Sequence, residues 1–240
     1  MGREEGSRMA KTRCAVVLIG PPGSGKTTLA RLLGAKTGAA IVEVGNLLEV
    51  EVRRKTALGQ QIAAYKTTGK LVPSELVKQV LSSELKKAAG PFVIFDGIPR
   101  SEEQIGMLFQ LLKENELCLC AVLLLSVDLQ TVLNRITGRR ICVKCGSVYN
   151  VLSQAPKSPG ICDRCGGTLV QREDDRLEVV QARLQIYERE TIPVIEFFRK
   201  EFGPVLLDQR AADSPEQLLN RVWPFLEEHF RCETEDKPAA

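Results

Sequence analysis

The sequence predicts a doubly wound α/β fold, a parallel β-sheet with helices on both faces. Short apolar runs recur along the chain with helix-length stretches between them, the pattern of strands joined through helical crossovers. Between the first run and the first helical stretch lies "GPPGSGKTT", Gly20 to Thr28, a glycine-rich turn with the spacing that cradles phosphate. A third observation bears on what the sheet carries: two C-x-x-C pairs, Cys142 with Cys145 and Cys162 with Cys165.

Taken in order, residues 1–12 are polar and mixed in charge and read as a flexible tail. "CAVVLIG" (14–20) is rich in β-branched residues and bounded by Gly and Pro, so it reads as a buried strand. "TTLARLLGAKTG" has helical spacing at Leu29, Leu32 and Leu33, with Gly38 as the stop. "AAIVEV" is a second short strand. From Asn46 to about Leu85 the pattern is helical, broken at "TTGKLVPSE", where Pro73 and Ser74 start a new helix. "PFVIFDG" (91–97), "CLCAVLLLSV" (118–127) and "GPVLLDQ" (203–209) are three further strands. In the last helix Ser214 suits the N-cap, Pro215 the first turn and Gln217 the capping-box position, and Pro224 is expected to kink or end it. Residues 231–240 read as a second flexible tail, leaving 13–230 as one domain.

Composition narrows the function. The chain has 240 residues, 44% hydrophobic and 26% charged, enough for a sizeable core. A net charge of +3 gives no general attraction to nucleic acid or anionic membrane. The single histidine, His229, excludes mechanisms that need a histidine base or several histidine ligands. No signal peptide or membrane span is visible, so a soluble cytoplasmic protein, acting as a monomer without nucleic-acid or membrane partners, is expected.

In the glycine-rich turn, Gly23, Ser24 and Gly25 let backbone N–H groups curl around phosphate, and the next helix adds its positive end. Lys26 supplies charge for the outer phosphates, and Thr27 or Thr28 a hydroxyl for Mg²⁺ or phosphate. A nucleoside triphosphate is the expected ligand. Asp96, closing the third strand, is placed to hold Mg²⁺ through water. The cysteine pairs stand seventeen positions apart, from Cys145 to Cys162, beside Arg139 and Arg140 in "RRICVKC". In a chain without export signals such pairs read as metal ligands before disulfides, while Cys14, Cys118, Cys120 and Cys232 look scattered. A nucleic-acid-binding zinc ribbon and a clip that shapes a phosphate-binding flap both fit this pattern.

Four stretches in order, "GPPGSGKTT", "TGKLVPSELV" (68–77), "FDGIPRSEEQ" (95–104) and "NRITGRRICVKCGSVYN" (134–150), resemble adenylate kinases and, more broadly, nucleoside monophosphate kinases. "QREDD" (171–175) and "QARLQIYERETIPVIEFF" (181–198) extend the likeness. The resemblance implies a core of 13–44, 77–137 and 177–230, a helical acceptor flap at 45–76 and a small lid at 138–176. It favours the second reading of the cysteines: Cys142, Cys145, Cys162 and Cys165 around one structural Zn²⁺, a closed site with no catalytic vacancy. It implies Mg²⁺-dependent transfer from ATP to a nucleoside monophosphate, AMP by default. Lys26, Arg135, Arg139, Arg172 and Arg183 match the groups around the transferred phosphoryl. Arg100 and Gln104 match acceptor contacts, and Asp174 and Asp175 the acidic pair of the lid. On the ATP side the expected contacts extend to Thr27, Thr28, Val148, Tyr149 and Ala211. On the acceptor side they extend to Val44, Lys70, Leu71, Val72 and Gly97.

The acceptor flap departs from the family pattern. Where a T-G-D-x-x-R stretch is usual, "VGNLLE" puts Val44 at the threonine, Asn46 at the aspartate and Glu49 at the phosphate-gripping arginine; Lys66 replaces an apolar residue. Thr27 stands where these kinases usually carry glycine, and its hydroxyl is expected to offset Asn46 at Mg²⁺. Glu49 lies one helical turn before Arg53, which predicts that Glu49 orients Arg53 and that Arg53, with Arg100, holds the acceptor phosphate. Two alternatives remain beside an AMP kinase: a kinase with another acceptor, and a nucleotide-binding regulatory protein with little transfer.

Overall fold

The structure is a computed structural model and describes residues 13–66, 70–172, 175–203, 206–210 and 214–230. Its centre is a five-stranded sheet in the order β2-β3-β1-β4-β8, with all neighbours parallel. The strands are β1 (Arg13–Ile19), β2 (Ala40–Glu43), β3 (Phe92–Asp96), β4 (Leu117–Ser126) and β8 (Leu206–Arg210). β1 lies between β3 and β4 and is covered on both faces, which is why it reads as an unbroken apolar run. Ala15, Val17 and Ile19 face one apolar cluster, and Val16 and Leu18 the other.

In β4 the alternation changes phase. Leu117 and Leu119 share the face of Val122 and Leu124, whereas Ala121, Leu123 and Leu125 take the other. The β1–β4 register shifts there, Ala15 pairing with Leu119 and Val16 with Ala121, so Cys120 is the extra residue of a bulge.

α1 (Lys26–Thr37) and α9 (Pro215–His229) cover one face of the sheet. α2 (Val44–Arg53), α3 (Ala57–Lys66), α4 (Ser74–Leu85), α5 (Glu102–Glu114) and α8 (Ile192–Glu201) pack on the other. α1 ends at Gly38, φ 71°, whose N–H donates to the Gly34 carbonyl, the left-handed stop that the sequence indicates. α9 carries the expected capping box at Ser214 and Gln217, but it runs through Pro224 to His229 without ending. Leu218, Val222 and Leu226, all buried on the sheet, hold it across the missing bond. The expected long helix after β2 starts at Val44 rather than Asn46 and breaks at Arg54–Thr56, where Lys55 takes φ 53° and Thr56 Oγ1 accepts the N–H of Gly59.

From β4 the chain runs through α6 (Leu129–Thr137), a small three-stranded sheet and α7 (Leu177–Ile186). That sheet comprises β5 (Arg139–Cys142), β6 (Val148–Asn150) and β7 (Leu169–Val170), in the antiparallel order β6-β5-β7. α7 continues into α8 through a π-helical turn, Tyr187–Thr191, where Pro193 interrupts the regular bond ladder. Among the described residues no helix is long and apolar enough to cross a membrane.

Candidate active site and metal clip

β1 delivers the chain to Gly20 at the carboxyl end of the sheet, and the turn that follows needs two left-handed glycines, Gly23 (φ 74°) and Gly25 (φ 96°). A Cβ on Gly23 would sit 2.8 Å from Ile136 Cγ1, so α6 packs directly on the turn. Lys26 opens α1, and its Nζ donates to the Gly20 and Pro21 carbonyls, each at 2.8 Å, and to Ser24 Oγ at 3.2 Å. Next to it Thr27 Oγ1 donates to Asp96 Oδ2, joining α1 to the last residue of β3. Both proposed Mg²⁺-side groups therefore meet at one point; Thr28 is exposed on the outer side of the helix.

Burial pushes the Lys26 ammonium down to about 8; Asp96 opposes the shift, and Arg100, Arg183 and Arg139 add to it. The same interaction set identifies the surroundings of the lysine: one carboxylate and three guanidinium groups drawn from β3, the loop after it, β5 and α7. Cations gathered this closely repel one another, and a polyphosphate is the ligand that relieves the repulsion.

The loop after β3 is built around Arg100. Its Nε donates to the Gly97 carbonyl at 2.7 Å, its N–H to Gln104 Oε1 at 2.8 Å, and its carbonyl accepts from Thr191 Oγ1 at 2.9 Å. Gly97 is required: φ is 88°, and a Cβ would lie 2.8 Å from Arg100 Nη2. The Ile98–Pro99 bond is cis. Gln104 is buried, and Thr191, a residue the sequence reading missed, closes the frame from the opposite side.

Val44 is buried at the start of α2, Glu49 Oε1 accepts from Arg53 Nε at 3.4 Å, and Arg53 is largely exposed. The expected pairing is present. Lys70 is exposed, Leu71 half-buried and Val72 buried. The side chain of Lys66 and residues 67–69 lie outside the described residues.

Arg135 leaves the core on α6 and Arg139 enters the small sheet on β5. Arg139 pairs with Asp175, which is wholly buried, and Gln171 Nε2 donates to the carbonyls of Thr137 and Asp175, each at 3.2 Å. Asn150 Nδ2 adds a bond to the Arg135 carbonyl at 3.0 Å. The two segments that connect the small sheet to the core are thus laced together. Arg172 sits on the second of them, half-buried; Asp174 and Ala211 lie outside the described residues. Val148 is exposed, whereas Tyr149 turns inward, its hydroxyl accepting the Asp163 N–H at 2.9 Å and lying 3.5 Å from Cys162 Sγ.

The four paired cysteines converge, with all four sulfurs within 4.8 Å of one another. Two matching knuckles present them. The N–H of Gly146 (φ 70°) donates to the Cys142 carbonyl at 3.0 Å, and that of Gly166 (φ 68°) to the Cys162 carbonyl at 2.8 Å. The Cys142 and Cys162 N–H groups donate to the carbonyls of Ser147 and Gly167. Tyr149 pulls the Cys162 thiol down to about 6, while the sulfur of Cys145, burial, and the sulfurs of Cys142 and Cys162 outweigh the Gly167 amide and push Cys165 up to about 12. Four thiols this close do not ionise together on their own, and a divalent cation would supply the missing charge. The donor set fits a tetrahedral thiophilic ion such as zinc.

Comparison with known proteins agrees with this geometry. The family model described as "Adenylate kinase" matches residues 18–202. The adenylate kinase of Thermococcus kodakarensis is 39% identical over 213 residues, 88% of this chain and 93% of the relative. That of Pyrococcus furiosus is 40% identical over 186 residues, 78% of this chain and 84% of the relative. That of Clostridium tetani is 36% identical over 194 residues, 80% and 90%. With its phosphate cradle, its ring of arginines about Lys26 and this extent of match, the chain belongs to the adenylate kinase family and is a phosphotransferase.

Proposed function

We propose that the protein transfers the terminal phosphoryl group of ATP to AMP, giving two ADP. The observation that carries this is the gathering of Asp96, Arg100, Arg139 and Arg183 about Lys26 at the mouth of the glycine turn. Phosphoryl transfer needs alignment and charge stabilisation, and these groups supply both without a covalent intermediate. The glycine turn, Ser24 and Lys26 bind the donor phosphates. Arg100, framed by Gly97, Gln104 and Thr191, orients the acceptor phosphate, with Arg53 as its partner from the flap. Arg135, Arg139, Arg172 and Arg183 spread the negative charge that builds up between donor and acceptor. Thr27 and Asp96 are the proposed protein side for Mg²⁺, which would supply positive charge against the donor phosphates. Zn²⁺ is proposed at Cys142, Cys145, Cys162 and Cys165, where it is structural.

In this reading segments 45–76 and 138–176 are the covers over acceptor and donor, and Val148 and Tyr149 belong to the donor cover. A cytoplasmic monomer is part of the same proposal, and the near-balanced charge of +3 supports the lack of nucleic-acid or membrane partners. One observation supports an unusual acceptor as a second reading: Glu49 occupies the phosphate-gripping position, and its carboxylate engages Arg53.

The test is turnover of purified protein with ATP and Mg²⁺ against a panel of nucleoside monophosphates, read as ADP release. Preference for AMP supports the proposal; preference for another acceptor selects the second reading. Thr27→Ala should shift the Mg²⁺ dependence of turnover to higher concentration, and an unchanged dependence removes Thr27 from the metal side.

A further inference from the structure

Cys14, Cys118 and Cys120 meet at the opposite end of the sheet from the phosphate cradle. Cys14 is the second residue of β1, and Cys118 and Cys120 lie near the start of β4, its neighbour in the sheet. Alternation along β1 puts Cys14 on the face of Val16 and Leu18, under α9. In β4, Leu117 and Leu119 turn to the other face, which leaves Cys118 on the side of Cys14, and the bulge adds Cys120 as an extra residue. The three sulfurs lie within 4.8 Å of one another. Cys14 Sγ also lies 3.3 Å from the carbonyl oxygen of Phe230, the residue that ends α9. Cys14 is 3% exposed and Cys120 0%, whereas Cys118 is half-buried and gives the cluster its side toward solvent.

Cys14 and Cys120 are joined by a disulfide with Cα atoms 5.5 Å apart, and Cys118, its Sγ 3.4 Å from Cys120 Sγ, is engaged sulfur to sulfur as well. Disulfides join sulfurs in twos and cannot satisfy a group of three. One soft cation bound by all three can. Three thiolates this close repel one another, and a cation offsets the repulsion. Structural zinc takes four ligands, as the cluster of Cys142, Cys145, Cys162 and Cys165 offers. A trio of thiolates, with no fourth cysteine, histidine or carboxylate grouped with it among the described residues, suits monovalent copper. We propose that the thiolates of Cys14, Cys118 and Cys120 form a three-sulfur site for Cu(I), separate from the four-cysteine cluster.

Disulfide and ion compete for the same sulfurs, so loading starts from protein treated with a phosphine reductant. For each disulfide reduced, one phosphine becomes its oxide with the oxygen of one water, and the two hydrogens of that water protonate the released sulfurs. Copper binding then transfers no electron: the ion enters and leaves as Cu(I), and the three thiol protons pass to the buffer. Once bound, the ion ties the start of β1 to β4 at two points, on the bulge and before it, and so fixes the one place where the register between these strands shifts.

The experiment uses the full, zinc-loaded chain carrying Cys232→Ser, which removes the one cysteine outside the described residues. Reduced protein, freed of phosphine without oxygen, is titrated with Cu(I) against the coloured chelator bathocuproine disulfonate. One Cu(I) per chain should be taken from the chelator while zinc stays bound. Cys118→Ser, the variant that least disturbs the buried sheet, should weaken this binding at least about a hundredfold, since loss of a ligand costs no less than loss of an outer partner. Its retained zinc and unchanged turnover with ATP and AMP show that it is folded. Copper uptake matched by zinc release overturns the proposal, because the ion is then in the four-cysteine cluster. Equal affinity in Cys118→Ser, or no uptake by the parent protein, also overturns it. As a second measurement, X-ray absorption at the copper edge should show a shell of three sulfurs, and a two-sulfur shell overturns it.

Discussion

Thr191 donates its hydroxyl to the carbonyl of Arg100 at 2.9 Å, across ninety-one residues of sequence. Thr191 is buried, and it closes the frame whose other members are Gly97 and Gln104. Thr191→Val keeps the shape and removes the donor, leaving a carbonyl unsatisfied at a cost of about 1–3 kcal/mol. The expected result is an AMP KM raised roughly five- to tenfold, a smaller change in the ATP KM, and recovery with Thr191→Ser, all read from steady-state kinetics.

Protein purified under reducing conditions should carry one zinc per chain, measured by elemental analysis. Cys142→Ser removes one of four ligands and should lower the melting temperature of the lid while leaving ATP binding by the core within about twofold. Zinc-free protein that melts like the zinc-loaded form would show that the knuckles need no ion.

Arg53→Ala should raise the acceptor KM about tenfold with little effect on ATP, the equivalent of ~1.4 kcal/mol. Glu49→Gln should have a smaller effect in the same direction. The pair is exposed, at 3.4 Å, and an exposed i,i+4 ion pair contributes only about 0.3–0.5 kcal/mol to holding Arg53. Unchanged acceptor kinetics in Arg53→Ala would strengthen the case for another acceptor.

Lys26 is held at about 8 in the protein alone, against an ordinary value of 10.5. A bound polyphosphate favours the charged lysine and raises that value. Between the two values binding therefore takes up a proton, and ATP affinity falls as the pH rises above about 8, by at most about tenfold per pH unit for one proton. Calorimetry in two buffers of different ionisation enthalpy measures the uptake directly, and Lys26→Gln should abolish it.

The parallel sheet was legible because its strands are buried on both faces and so appear as apolar runs. The phosphate cradle was legible because its chemistry demands glycines, a lysine and hydroxyls at fixed spacing, and the four-cysteine cluster because each knuckle is local. What escaped was non-local or carried by unremarkable residues. Cys14 and Cys120 are 106 residues apart, and only the pairing of β1 with β4 unites them. Thr191 looks like any helix threonine until α8 is placed against the Arg100 loop. The break between α2 and α3 turns on Lys55, a residue type that does not announce a left-handed conformation, although Thr56 capping Gly59 was there to be found. Pro224 does not end its helix: a proline costs an isolated helix about 3 kcal/mol, and three side chains buried on the sheet outweigh it.

The lacing at the neck of the small three-stranded sheet has a topological consequence. The outgoing arm, through β5, and the returning arm, through β7, are joined by Arg139 with Asp175, by Gln171, and by the pairing of Ile141 with Val170 and Cys142 with Leu169. None of these ties passes through the stretch from Val151 to Gly160. A protease nick in that stretch would therefore cut the chain without detaching either piece. The nicked protein should travel as one particle in native gel filtration and as two fragments only in denaturant.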